Sequence, residues 1–396
     1  MAIPLKSMKQ TANIAKQIAK KGAVITDVNE MYKYTGGPEL GHISLEYLFA
    51  SNVLPLSTII HLFGPEGCGK STMAMHFLDE YFMRQGGDGH IIDTEGKMSI
   101  PVIKSIVSPE SIEDDKFTIY RAGSLESAQS VVTTIVKELY KATFMCKKKD
   151  RTPHLVGSVI DSFRVTSEIT QKGITDDGHA SKQFATEAAL WRTFLSTMAP
   201  KMLYMPMVLF LVNHMTEKES GTGWGKVKDH GGGQALKYHI SYSFLIQRIA
   251  NTSNKTNVFA DLSIQSYKNS GGEGKLKIYP RIIYQSPDLD QGRFKIDWDI
   301  ADAKLLAGPD IPREALKNAG ICSVKESSKA GLYSDEVLGL SCVPIQEITS
   351  AIYAEPDRLS ALREQLKIYK YQTLEELWES GWLFDARTGG VEDDEE

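Results

Sequence analysis

Ile59-Ile60-His61-Leu62-Phe63-Gly64-Pro65-Glu66-Gly67-Cys68-Gly69-Lys70-Ser71 is the stretch whose reading decides the fold. From Gly64 to Ser71 it fits G-x-x-x-x-G-K-[ST] at every fixed position. The apolar run before the loop reads as a short buried strand, and Met73, Phe77 and Leu78 after it recur at helical spacing toward Met83. Glycines let such a loop curl with its N–H groups inward at the positive end of a helix, which makes a nest for phosphate. Lys70 is then placed to reach the β- and γ-phosphates of ATP, and the Ser71 hydroxyl to ligate the bridging Mg²⁺. The candidate nucleotide set is Gly64, Pro65, Glu66, Gly67, Cys68, Gly69, Lys70, Ser71 and Thr72. A glycine-rich turn that meets the pattern by chance would lack the flanking strand and helix.

Working outward, a chain of 396 residues is too long for one core of average size and implies two or three domains. The 45 basic and 50 acidic residues give a net charge of −5. Five of the acids are the terminal Glu392, Asp393, Asp394, Glu395 and Glu396, so any DNA surface has to be local. There is no apolar stretch of about 20 residues and no signal-peptide core, so a soluble, cytoplasmic protein without a membrane partner is expected. Cys68, Cys146, Cys322 and Cys342 lack zinc or disulfide spacing and read as reduced bystanders.

Residues 1–40 read as an arm. Lys6, Lys9, Lys16, Lys20 and Lys21 surround Ile14 and Ile18 in a short basic amphipathic helix ending at Gly22, suited to binding a partner surface. From Ser57 to about Trp298, strand-like runs alternate with helical ones, the signature of a parallel α/β sheet. The second strand, His90-Ile91-Ile92, ends at Asp93-Thr94-Glu95, where acids face the ligand crevice. Glu95 is the candidate to orient or deprotonate the attacking water; Asp93 can do the same or cap the following turn. Phe117 to Tyr120 is a third strand, followed by a helix from Ser124 to about Ala142. Leu155 to Ile160 is a fourth strand ending in Asp161, the candidate Mg²⁺ carboxylate.

A polar stretch, Ser167 to Gln183, precedes a helix around Ala185 to Met198 and a fifth strand, Met207 to Val212, that ends at Asn213-His214. The segment from Met215 to Gly233 is rich in glycine and lysine, with Trp224 between two glycines. Loops of that length are functional or disordered. Lys218, Lys226 and Lys228, with Trp224 as a stacking ring, would make a single-strand surface; a loose surface hairpin is the plain alternative. Ser241 to Ile249, Asn257 to Tyr267, Leu276 to Tyr284 and Arg293 to Trp298 read as strands that extend the sheet antiparallel.

The order of phosphate loop, Glu95, Asp161, Asn213-His214 and a loop closing in Gly231-Gly232-Gly233-Gln234-Ala235-Leu236-Lys237-Tyr238 resembles the RecA family over roughly Ile43 to Trp298. In character the chain is similar to phage-encoded members. The resemblance implies a P-loop ATPase core at 41–298 that uses ATP and Mg²⁺ and forms helical filaments of itself on single-stranded DNA. It also implies DNA-dependent hydrolysis and strand exchange with homologous duplex DNA, with single-strand-binding and mediator proteins as possible partners, in a bacterial cell or phage-infected host. It assigns Glu95 to the water, Asp161 to Mg²⁺, and the stretches Ser167–Gln183 and Met215–Gly233 to the two DNA loops, with Lys237 at the close of the second. His214 stands where the bacterial pattern has Gln and takes the γ-phosphate-sensing role; a satisfied core histidine is its plain alternative. Lys268 matches the first basic position that caps a neighbour's ATP, whereas Ser270 stands at the second, leaving Lys275 or Arg281 to compensate.

Residues 299–386 read as a small, mainly helical C-terminal domain and 387–396 as an acidic disordered tail. A RecA-core helicase or translocase is the alternative within enzymes. An ATP-gated scaffold or regulator that does not touch DNA is the alternative outside them.

Overall fold

The computed structural model describes residues 36–145, 154–163, 180–203, 205–219, 226–230, 236, 238–253, 257–269, 276–285, 293–308, 311–321, 324–326 and 332–379. Nearly all of the arm, most of the Ser167–Gln183 stretch, Trp224, Lys237, Ser270, Lys275, Cys146, Cys322 and the acidic tail lie outside these residues. The chain opens with β1 (Gly36–Gly37), α1 (Ile43–Phe49) and β2 (Thr58–Gly64). Then come α2 (Lys70–Tyr81), β3 (Asp88–Asp93), α3 (Ile100–Ile106), α4 (Pro109–Glu113), β4 (Phe117–Arg121), α5 (Leu125–Tyr140), β5 (Val156–Asp161) and α6 (Ala180–Met202). The sheet continues with β6 (Met207–Glu219), β7 (Lys226–His230), β8 (Tyr242–Ser253), β9 (Asn257–Asn269), β10 (Lys277–Ile278), β11 (Arg281–Gln285) and β12 (Arg293–Asp297).

These strands form one sheet in the order β12-β11-β9-β8-β2-β6-β5-β3-β4, with β10 on β9 and β7 on β6. The run from β8 to β4 is parallel and the flank beyond β8 is antiparallel, as the alternation of strand and helix in the sequence requires. Successive residues of β2 and β6 are sorted to opposite faces. Ile60, Leu62, Val208 and Phe210 join one apolar cluster with Met73, Phe77 and Leu78 of α2. Ile59, Leu209 and Leu211 join another with Val132, Ile135 and Leu139 of α5 and Trp191 and Leu195 of α6. That two-sided burial is why β2 and β6 read as unbroken apolar runs.

Three elements differ from the sequence reading. The expected strand Leu276–Tyr284 is two, β10 and β11, because Pro280 has no N–H to give the ladder and interrupts it between them. The fifth strand does not stop at Val212: β6 runs on to Glu219 and pairs antiparallel with β7. Part of the glycine-lysine segment is therefore a β-hairpin. The helix expected from Ala185 starts earlier, at Ala180.

Beyond β12 lie α7 (Asp299–Ala307), α8 (Arg313–Asn318), β13 (Lys325–Glu326), β14 (Leu332–Asp335), β15 (Leu340–Pro344), α9 (Ile345–Tyr353), α10 (Pro356–Gln365), β16 (Gln372–Thr373) and α11 (Leu374–Glu379). Strands β13 to β15 make a small antiparallel sheet beside the helices, and Leu306, Leu316, Ile348 and Leu362 of the segment share an apolar cluster with Ile43 of α1. Polar ties bind it to α1. Arg363 grips the fully buried Glu46 with two hydrogen bonds, of 2.7 and 2.6 Å. The equally buried Asp302 accepts from the Ser44 amide at 2.8 Å and the Tyr353 hydroxyl at 3.1 Å. Backbone pairing of β1 with β16 closes the same seam.

Burial pushes the Glu46 carboxyl up against the pull of Arg363. Removing the guanidinium leaves a buried charge unpaired, so Arg363→Ala should cost about 3 kcal/mol in chemical denaturation at neutral pH. Without Arg363 the native carboxyl, already raised by burial, holds its proton more tightly still, so the variant's stability falls as pH rises from the unfolded value of about 4.3 through the raised native one. The deficit should therefore shrink on acidification; a deficit that grows in acid would contradict the assignment.

Candidate functional site

Parallel register alone assembles the site at the carboxyl ends of β2, β3 and β5 and at the point on β6 where its parallel pairing with β2 stops. Gly64 ends β2 beside His214 on β6, and Asp93 ends β3 beside Asp161 on β5. This is the edge of a parallel sheet where ligands bind. The loop after β2 turns into α2 through Gly69, whose φ of +92° suits glycine and few other residues. Gly64 has no room for a side chain: a Cβ there would lie 2.0 Å from the Ile246 carbonyl oxygen. An open cavity of about 430 Å³ follows the loop from Glu66 to Thr72. Its facing wall includes Arg248 from β8 and Leu262, Ile282 and Phe294 from the antiparallel flank.

Lys70 is buried, and its ammonium donates to the carbonyl oxygens of Gly64 at 3.1 Å and Pro65 at 2.6 Å. Cys68 is packed behind it, its thiol pushed up by burial. The Ser71 hydroxyl lines the cavity with the Asp161 carboxylate and favours its charged form. Burial pushes the Asp161 carboxyl up; Ser71 opposes that, and the nearby charges of Glu95 and Asp93 add to it. A hydroxyl beside a buried, mutually repelling set of carboxylates is a hard-oxygen donor set that suits Mg²⁺.

The acid that ends β3 and the one two residues beyond it have separate jobs. Both oxygens of Asp93 are taken by the turn, accepting from the amides of Gly96 at 2.8 Å and Met98 at 3.1 Å. Asp93 is the turn cap. Asp93 and Glu95 both line the cavity, but the Glu95 carboxylate meets side chains there, 2.9 Å through Oε1 from His214 Nε2 and 2.7 Å through Oε2 from Lys97 Nζ. Burial pushes the Glu95 carboxyl up, but hydrogen bonds from Lys97, Ser162 and His214 outweigh it and hold it at about 2. A carboxyl held that low adds to native stability above its unfolded value and loses the contribution only as pH falls toward 2. Carbon-detected NMR should find Glu95 titrating near 2 and moving upward in Lys97→Met; a midpoint near the free value of about 4.3 would refute these bonds.

His214 is anchored from below. Its amide donates to Asn213 Oδ1 at 2.8 Å, and the buried Asn213 amide lies 3.2 Å from His61 Nε2. His61 Nδ1 is in turn 3.0 Å from the Ser243 hydroxyl on β8. A buried polar chain thus runs from the cavity across three strands.

The remaining sequence candidates lie apart. Lys268 sits on β9 opposite Ser243 and does not line the cavity. Arg281 closes its guanidinium on Asp261 at 2.7 and 3.2 Å within the same chain. Lys218, Lys226 and Lys228 lie on the β6–β7 hairpin, whose register sets Glu219 opposite Lys226 and Glu217 opposite Lys228. Sequence reasoning missed Lys97, Ser162 and the apolar wall. A lysine two residues after Glu95 was the one local signal available.

Fold and site together define an α/β protein with a mostly parallel sheet and a P-loop cavity. No family model matches the chain. It is similar to Protein RecA of Helicobacter acinonychis (strain Sheeba), 24% identical over 381 residues that cover 88% of this chain and all of that protein. Protein RecA of Helicobacter pylori (strain Shi470) is 23% identical over the same shares. Protein RecA of a Nitratiruptor species is 24% identical over 59% of this chain and 63% of its own length. This weak but long similarity supports membership of the RecA family. Among the described residues no helix is long and apolar enough to cross a membrane.

Proposed function

We propose that the chain is an ATP-dependent recombinase that assembles on single-stranded DNA as a helical filament of itself, hydrolyses ATP in response, and exchanges strands with homologous duplex DNA. The observation that carries this reading is the Glu95–His214 contact of 2.9 Å on β6, the strand that runs without a break into the glycine-lysine hairpin. A group that touches both the water-orienting carboxylate and the strand leading to a DNA loop can couple the two sites. The weak, long similarity to RecA proteins supports the same class.

In this reading the loop from Gly64 to Thr72 binds the phosphates and Lys70 neutralises the β- and γ-oxygens. Ser71 and Asp161 would hold Mg²⁺, which would supply neutralisation of phosphate charge. Glu95 orients the water, and His214 holds Glu95 and transmits its position. Lys218, Trp224, Lys226, Lys228 and Lys237 contact single-stranded DNA, and Lys268 reaches a neighbour's nucleotide. The 1–40 arm docks on the adjacent core at 41–298, the segment 299–386 forms the C-terminal domain, and the acidic tail competes for basic surface. Such a protein works in the cytoplasm, in character like phage-encoded members.

Electron microscopy of the protein with single-stranded DNA and a slowly hydrolysed ATP analogue tests this. DNA-coated filaments, followed by exchange into homologous duplex with ATP, are expected. Closed rings would favour the helicase, and no assembly the regulator.

A further inference from the structure

We propose that Lys97 is a cation for the terminal phosphate, supplied by the same chain, which exchanges Glu95 for that phosphate when a nucleoside triphosphate binds. The inference rests on the reading of the cavity as an ATP site. Lys97 lines the cavity with Lys70 and Ser71, and its Nζ lies 2.7 Å from Glu95 Oε2 and 3.9 Å from Glu66 Oε1. It thus spans the mouth from the water-orienting carboxylate to the phosphate loop.

The two lysines of the cavity differ in freedom. Lys70 is buried and held by two loop carbonyls. The Lys97 side chain is 68% exposed, and both of its partners are carboxylates in reach of water. A solvent-screened ion pair of that kind is weak and easily exchanged. A terminal phosphate presents more negative charge and more acceptor oxygens than one carboxylate, and it would enter between the groups Lys97 now bridges.

The exchange also has a consequence for Glu95. His214 donates to Oε1 of this carboxylate and Lys97 to Oε2. A carboxylate offers about four lone-pair sites, and a water poised for in-line attack needs one facing the phosphate. Moving Lys97 onto the terminal phosphate frees Oε2 on the cavity side. A diphosphate ends one phosphate short and leaves Lys97 on Glu95. Lys97 therefore distinguishes triphosphate from diphosphate.

Calorimetric titration of the full chain with Mg²⁺ and either ADP or the β,γ-imido analogue of ATP tests this. Lys97→Met should weaken the triphosphate analogue about tenfold, as loss of a charge-assisted contact implies, with ADP affinity held within about twofold. Lys97→Arg should restore most of the triphosphate affinity. Equal weakening of both nucleotides, or an unchanged triphosphate affinity, would overturn the proposal. Wild-type protein that binds neither nucleotide would overturn the reading of the cavity, and the proposal with it.

Discussion

Replacing Lys70 with alanine should lower ATP turnover by a factor of about 10² to 10³, the range for loss of one preorganised charge-stabilising donor. The size follows from burial. Lys70 is 5% exposed, so its charge acts with little screening by water, and in the folded chain it already offsets the carboxylate of Asp161. Its removal leaves the phosphates of a bound nucleotide facing Asp161 and Glu95 without that compensation. Nucleotide affinity should fall along with turnover, as steady-state hydrolysis and calorimetry would show. Turnover within tenfold of the wild type would mean that phosphate is bound elsewhere.

Glu95→Gln should lower turnover by about 10² to 10⁴, the range for a positioned acid–base group, with nucleotide affinity changed little. The amide keeps the shape of the side chain but loses the charge that Lys97 and His214 now share. Asp93 cannot stand in, because both its oxygens hold the turn amides of Gly96 and Met98. Single-turnover quench should find bound ATP accumulating unhydrolysed. Unimpaired hydrolysis would shift the role to another group.

What the sequence made legible was local. The loop from Gly64 to Ser71 carries its geometry in its own glycines, and the apolar runs that lead to Asp161 and to Asn213-His214 announce the strands that carry those residues, although β6 continues past His214 to Glu219. Pro280 could have split the strand Leu276–Tyr284 on the same local grounds, since it gives a ladder no donor. Short strands such as β13 to β15, with little alternation, left no such signal.

Other features depend on elements far apart in the chain. The placement of β2 between β6 and β8 brings His214 beside Gly64, and no spacing rule states that order. The division of labour between Asp93 and Glu95 is set by where two turn amides point. Leu262, Ile282 and Phe294 face a loop far earlier in the chain, which only the closed sheet reveals. Lys97 was hidden for a different reason: an exposed lysine in a turn looks like any other until its partner is known.

The most direct test of the account is ATP hydrolysis by the full chain with and without single-stranded DNA, with Lys70→Ala as the blank. The account predicts slow turnover alone, a marked rise on adding DNA, and neither in the variant. Turnover indifferent to DNA would contradict the coupling through His214 and β6, and with it the recombinase.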